Sequence, residues 1–172
     1  MEHTEEISYQ EVTMTVNDAL IRQMQHERTN AQIYLNFSGI CDCQGLTGAA
    51  AYFKKQSDDE LKHFQLIFDY CCDRVGFTPE LLDIPRVEFN HQMFLYDMFK
   101  QAFDLEVLTT QKLCAIKRQA IEQDDFLTDT FLDVMILEQR EEEKSAETWF
   151  QRASMLTQTP FGVILLDQEL AK

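Results

Sequence analysis

The chain has 172 residues, with 30 acidic against 15 basic side chains and a formal charge of -15. This length suits one domain with a substantial core. The acidic excess argues against nucleic acid or an anionic membrane as a partner and suits a protein that attracts cations, although solubility alone would also account for it. The opening MEHTEEISYQEV has no basic n-region, and no stretch approaches the ~20 apolar residues of a membrane span. Five cysteines at irregular spacing do not form a disulfide framework, so a reducing, cytoplasmic setting is expected.

In chain order, residues 1–14 read as a loose N-terminal arm and residues 15–172 as one helical domain. Thr15 and Asp18 fit a capping box that starts a helix running to about Cys43. Gln44 to Gly48 is a short turn, so a second helix, from about Ala49 to Arg74, returns antiparallel and ends before Gly76. The segment from Gly76 to about Gln92 contains Pro79 and Pro85 and has no clear period. It is too long for a tight turn and long enough, at ~3.3 Å per residue, to cross a bundle of ~40 Å. The third helix, from about Met93 to Glu122, should therefore run parallel to the second. Asp124 and Asp125 start a fourth helix that reaches about Thr157. Thr159 and Pro160 make an N-cap and first-turn pair for a short fifth helix ending at Leu170. The fold expected is all-α: a four-helix bundle with a long crossover between the second and third helices and a short C-terminal helix.

Each of the four long helices carries an apolar seam in alternating steps of three and four, the period of one helix face. The seams run through Leu20, Met24, Ala31 and Tyr34; through Phe53 and Ile67; through Phe99, Ala102 and Leu113; and through Leu132, Met135 and Ala146. Near the middle of each, the apolar run gives way to metal-ligand types: Glu27, then Glu60 and His63, then Glu106, then Gln139 and Glu142. Ionised carboxylates in a core must be paired, neutralised or bound to metal. A single Glu on a stripe is as well explained by a misread boundary, and His63 alone by a core histidine bonded to backbone. Four aligned positions are harder to obtain by accident. Glu27 to Glu60 and Glu106 to Gln139 are each separated by 33 residues, so each hairpin brings its polar residues to a common height. One carboxylate per hairpin with an i, i+3 pair on its second helix is the known ligand plan of di-metal carboxylate bundles.

These residues carry a resemblance. With the runs HERTNAQIYL (26–35), AAAYFKKQSDDELKHFQLIFDY (49–70), LEQREEEK (137–144) and DQEL (167–170), the chain resembles the non-haem ferritins of the bacterial type from about Leu20 to Leu170. The resemblance implies a ferritin-like fold, a 24-subunit homo-oligomeric cage and iron storage. It further implies ferroxidase activity, the oxidation of Fe(II) by O2 or H2O2 at a di-iron centre. Glu27, Glu60 and His63 would then hold one iron, and Glu60, Glu106 and Glu142 the second, with Gln139 close by and Tyr34 hydrogen-bonded into the site. Asp59, Glu138 and Glu141 would form a third iron site sharing Glu142, with Asp59 standing where the family usually has Glu. Bacterioferritins resemble the chain as well, but they need a second Glu-x-x-His on the fourth helix, where this chain has Gln139 to Glu142. They also place a haem-ligating Met where this chain has Leu61, so haem is not expected.

Carboxylates with one imidazole suit Fe(II) and stabilise Fe(III) more, and labile ligands of this kind let the oxidised product leave. Two other readings remain: a non-storage di-iron enzyme such as a rubrerythrin-like peroxidase, and a non-catalytic structural subunit of a mixed cage. The first lacks the Cys-x-x-Cys pairs of a rubredoxin domain. Asp125, Asp129 and Asp133 recur every fourth residue at the start of the fourth helix, in a region that lines iron-admitting channels in ferritins. They equally well complement the helix dipole. Cys41-Asp42-Cys43 could hold a soft metal, but helical cysteines are usually small buried hydrophobes.

Overall fold

The structure, a computed structural model, describes residues 14–74, 76–88 and 90–172. The arm expected at residues 1–14 lies outside them except for Met14. Five helices follow in order: α1 (Val16–Cys43), α2 (Thr47–Asp73), α3 (Leu95–Glu122), α4 (Phe126–Leu156) and α5 (Pro160–Leu170).

Local chemistry sets the ends. At α1 the Thr15 hydroxyl accepts the Asp18 amide at 3.1 Å, and the Asp18 carboxylate accepts the Thr15 amide at 3.0 Å, which is the expected capping box. Asp125 caps α4 by accepting the Thr128 amide at 3.2 Å, and Asp124 turns the chain there with a φ of 56°. Thr159 caps α5 ahead of Pro160. Two starts differ from the sequence reading. α2 begins at Thr47 rather than Ala49, and its N-cap, Leu46, makes no side-chain cap bond. Its Ala49 amide donates instead to Asp167 of α5 at 2.8 Å. At Gly48 a Cβ would lie 2.0 Å from the Asp167 carbonyl oxygen, so only glycine lets α5 approach this closely. α3 begins at Leu95 rather than Met93 because Asn90 holds the preceding residues in a turn, accepting the Gln92 amide at 3.0 Å on its side chain and the Met93 amide at 3.1 Å on its carbonyl.

Two apolar clusters give the topology. One gathers the end of α1 (Phe37, Cys41), the start of α2 (Ala49, Phe53), the start of α3 (Leu95, Phe99) and Leu166 of α5. The other gathers the start of α1 (Val16, Leu20), the ends of α2 (Ile67, Cys71) and α3 (Ile116, Ala120), and the start of α4 (Leu132). α3 therefore runs antiparallel to α1 and parallel to α2. The connection between α2 and α3 spans the bundle along α1: Gln25 and Arg28 donate to the carbonyls of Asp83 and Leu82, while Val87 and Met93 pack at the far end. Among the described residues no helix is long and apolar enough to cross a membrane.

Candidate metal centre

Between the two apolar clusters the seams turn polar. Glu27, Glu60, Glu106 and Gln139 are 0 %, 3 %, 2 % and 3 % exposed, and His63 is also buried. Ligand atoms of Glu27, Glu60 and His63 lie within 4.8 Å of one another, and so do those of His63, Glu138 and Glu142. His63 joins the two groups. Its Nδ1 is 3.8 Å from Glu60 Oε2, and its Nε2 is 3.4 Å from Glu142 Oε1 and 3.8 Å from Glu138 Oε1. The three-residue offset from Glu60 to His63 puts both on the inner face of α2, one turn apart.

Glu106 stands at the α3 side. Tyr34 donates its hydroxyl to one carboxylate oxygen, and Gln139 donates to the other at 2.7 Å. Both oxygens are thus oriented before any ion arrives. Glu106 belongs to neither three-residue group, but its charge reaches Glu60, Glu142 and the Tyr34 hydroxyl.

Burial pushes these acids up. The Glu60 carboxyl rises to about 8, chiefly through burial, with the charges on Glu106 and Glu142 adding to it. Glu142 rises to about 7, again through burial first. Glu27 rises through burial and the adjacent Glu60, and Glu106 rises through burial although Tyr34 and Gln139 oppose it. With the carboxyls ionised, no hydrogen-bond donor reaches Glu27 Oε2 or Glu60 Oε2. Bare acceptors of this kind in a dry interior cost about 1–3 kcal/mol each, more when charged. A cation held between them removes that cost, and the donor set of carboxylates and one imidazole fits a hard or borderline divalent ion.

Residues 17–156 match the family model of the ferritin-like domain. The chain belongs to that family. It is 29% identical over 156 residues to the bacterial non-heme ferritin of Escherichia coli O157:H7, covering 90% of this chain and 92% of that protein. It is 27% identical over 154 residues to the bacterial non-heme ferritin of Staphylococcus aureus (strain COL), covering 89% and 91%. The open-pore ferritin of Archaeoglobus fulgidus superposes with a TM-score of 0.85 at 27% identity, covering 93% of this chain and 98% of that one. The fold is that of a ferritin-like four-helix bundle with a short fifth helix.

Within this ferritin-like bundle, the residues expected at a third site scatter. Glu138 reaches His63, but its side chain is 56% exposed. Asp59 accepts from Lys62 at 2.6 Å and Lys55 at 3.1 Å; against the burial that pushes it up, these bonds hold its carboxyl below the usual range. Glu141 is exposed and pairs with Arg140 at 2.9 Å. The structure therefore does not gather Asp59, Glu138 and Glu141 into one group. The aspartates at the start of α4 are engaged as well: Asp125 with Arg74 at 2.9 Å, Asp133 with Lys117 at 3.0 Å, and Asp129 with the same Lys117. Cys41 is buried with its sulfur 3.5 Å from Met98 Sδ, whereas Cys43 is exposed, so the two do not share an environment.

The sequence reading passed over a second buried polar row on α1. Gln23 donates to Glu27 Oε1 at 2.6 Å. Asn30 donates to Glu60 Oε1 at 3.4 Å and to the Thr109 hydroxyl at 3.2 Å. Lys112 donates to His26 Nδ1 at 2.8 Å, which leaves Nε2 protonated to donate to Thr109 at 2.9 Å. His26 is held neutral, its pKa lowered to about 4 by burial and by the Lys112 charge. The available signal was spacing: Gln23, Glu27 and Asn30 are four and three residues apart, a polar stripe beside an apolar one.

Proposed function

We propose that this chain is an iron-storage ferritin subunit that oxidises Fe(II) within its own four-helix bundle. Fe(II) is the substrate, O2 or H2O2 the oxidant, and the product ferric mineral is stored in a shell of 24 copies. The observation that carries this reading is the buried set of Glu27, Glu60 and His63 with two carboxylate oxygens that no donor reaches. The match to bacterial non-heme ferritins over about nine-tenths of the chain supports it.

The residues divide the work. Glu27, Glu60 and His63 bind one ferrous ion, and Glu60, Glu106 and Glu142 a second. Tyr34 and Gln139 keep both oxygens of Glu106 aimed inward, so no reorientation is needed as charge builds. His63 contributes a ring flanked by carboxylates on both nitrogens. Glu60 and Glu142, raised to about 8 and about 7, release their protons as the cations arrive. Glu138 and Glu142 form the less buried side of the centre, which suits passage of cations. Glu138 and Glu141, with Asp59, would serve a weaker outer position once Asp59 leaves Lys55 and Lys62 and Glu141 leaves Arg140. Leu61 stands where bacterioferritins carry a haem-ligating Met, so the reading requires iron and no haem.

Stopped-flow oxidation of Fe(II) by the metal-free protein tests this. The wild type should oxidise two Fe(II) per subunit in a rapid phase. His63→Ala should slow that phase at least about tenfold, since it removes a direct ligand. Unchanged kinetics in the variant would overturn the assignment. Size-exclusion chromatography should show a particle of 24 subunits of 20.2 kDa.

A further inference from the structure

On the side of the centre away from Glu138 and Glu142, a groove of about 470 Å³ opens between α1 and α3 under Pro85 of the crossover. Its lining contains no Asp or Glu, on a chain with 30 acidic residues against 15 basic ones. It contains two cations instead, Arg22 and Lys112, together with Gln23, Gln25, His26 and Thr29. Among the described residues neither cation forms an ion pair with a carboxylate, unlike Lys54, Lys55, Lys62, Lys100, Lys117 and Arg74 elsewhere.

Lys112 is the informative member. Its ammonium is half-buried, and its hydrogen-bond partner is the neutral ring of His26. A partly desolvated ammonium bonded to an uncharged acceptor gives up hydration that no directly bonded carboxylate replaces; burial lowers its pKa, and the Glu27 charge offsets that only in part. His26 is held in turn by Thr109. Two of the three ammonium hydrogens, and the Arg22 guanidinium, remain for a ligand in the groove. The other donors on the floor are already spent: Gln23 on Glu27 and Gln25 on the Asp83 carbonyl. What the groove presents is positive charge with fixed donors and no carboxylate in its lining, Asp18 and Glu27 acting on Arg22 and Lys112 only through their charge, which suits binding of a doubly charged oxyanion.

We propose that the α1–α3 groove is an oxyanion site that takes a ligand of the inorganic phosphate class on Arg22 and Lys112. The site also has contact with the metal centre. Gln23 on its floor touches Glu27, and Lys112 is joined through His26, Thr109 and Asn30 to Glu60. The centre thus has an acidic face toward Glu138 and Glu142 and a cationic face toward the groove, so cations and oxyanions approach from opposite sides. The binding claim concerns the metal-free protein and stands apart from the proposed iron chemistry; only the contact with the centre rests on that reading.

The test is calorimetric titration of the assembled, metal-free protein with inorganic phosphate at low ionic strength near neutral pH. Saturable binding of one phosphate per subunit is expected, with sulfate competing, since the chemistry recognised is a tetrahedral dianion. Arg22→Gln, at an exposed position that leaves the fold intact, should weaken binding at least about fivefold. Lys112→Gln should weaken it at least about tenfold, and Lys112→Arg should restore most of it. Lys100→Gln, which removes a lysine remote from the groove, should change nothing. Absence of saturable heat in the wild type, or equal affinity in the Arg22 and Lys112 variants, overturns the proposal. Because no metal is present, that failure is separate from failure of the oxidation assay.

Discussion

Replacing Glu27 with leucine separates a ligand from a structural residue. The wild-type side chain is completely buried, one oxygen takes the Gln23 amide at 2.6 Å, and the other takes nothing. Leucine at 27 removes a bare buried acceptor that costs about 1–3 kcal/mol and adds apolar burial of about 1.5–3 kcal/mol. Against this, the Gln23 amide loses its acceptor at a cost of about 1–3 kcal/mol. The balance leaves the metal-free variant about 1–2 kcal/mol more stable, a rise in Tm of very roughly 2–8 °C. Adding Gln23→Leu should raise it further by relieving the stranded amide. Thermal melts of the metal-free wild type, the single variant and the double variant, beside an oxidation assay, measure both sides. Both variants should lose rapid oxidation. A fall in Tm of more than a few degrees with oxidation preserved would refute the reasoning, because it would mean that the Glu27 carboxylate holds the bundle together.

Stability of the metal-free protein should fall as pH rises above about 6.5; below that, His26, lowered to about 4 in the folded chain, opposes the trend. Glu60 and Glu142 titrate at about 8 and about 7 in the folded chain against an ordinary 4.5, so between these values the folded state keeps protons that the unfolded state has released. The stabilisation is therefore complete below about pH 4.5 and lost through pH 7–8, at up to about 1.4 kcal/mol per pH unit per group. A divalent ion should flatten that slope, and a Tm that climbs between about pH 6.5 and 8 in the metal-free protein would contradict the sign. Glu138→Ala with Glu141→Ala should leave the first oxidation phase intact and slow repeated turnover about two- to fivefold, as seen in multi-addition assays. Asp129→Asn with Asp133→Asn should slow iron uptake more at low than at high salt, although by less than a free carboxylate pair would, because Lys117 already engages both.

The helices were legible because their ends are written in local chemistry. Thr15 with Asp18 and Thr159 with Pro160 are signals that need no tertiary context, and the structure uses both. The buried polar set between the apolar clusters was legible for a related reason: a polar or charged residue in a seam contradicts its neighbours, and four such contradictions align. What stayed hidden depends on neighbours far along the chain. The start of α2 has no local cap signal because its partner, Asp167, is 118 residues away. Gln23, His26 and Asn30 looked like an ordinary polar face, but α2, α3 and the crossover enclose α1 on several sides and bury that face too. Asp59 was read through the resemblance, which gives no weight to Lys55 and Lys62 at four and three residues' distance, the spacing that captures its carboxylate.

The bond from the Ala49 amide to Asp167 ties the helix carrying Glu60 and His63 to the last helix described. α2 has no cap of its own, so its first turn is complete only when α5 has docked across Gly48. Amide exchange at Ala49 is therefore a local gauge of whether the C-terminal helix is seated, readable without any metal present. Fraying at this end would propagate along α2 toward the ligands from the side of Phe53, whereas the opposite end of the helix is anchored separately through Ile67 and Cys71. A mutation in α5 that never touches iron would then alter iron handling by loosening one end of a helix whose other end stays fixed.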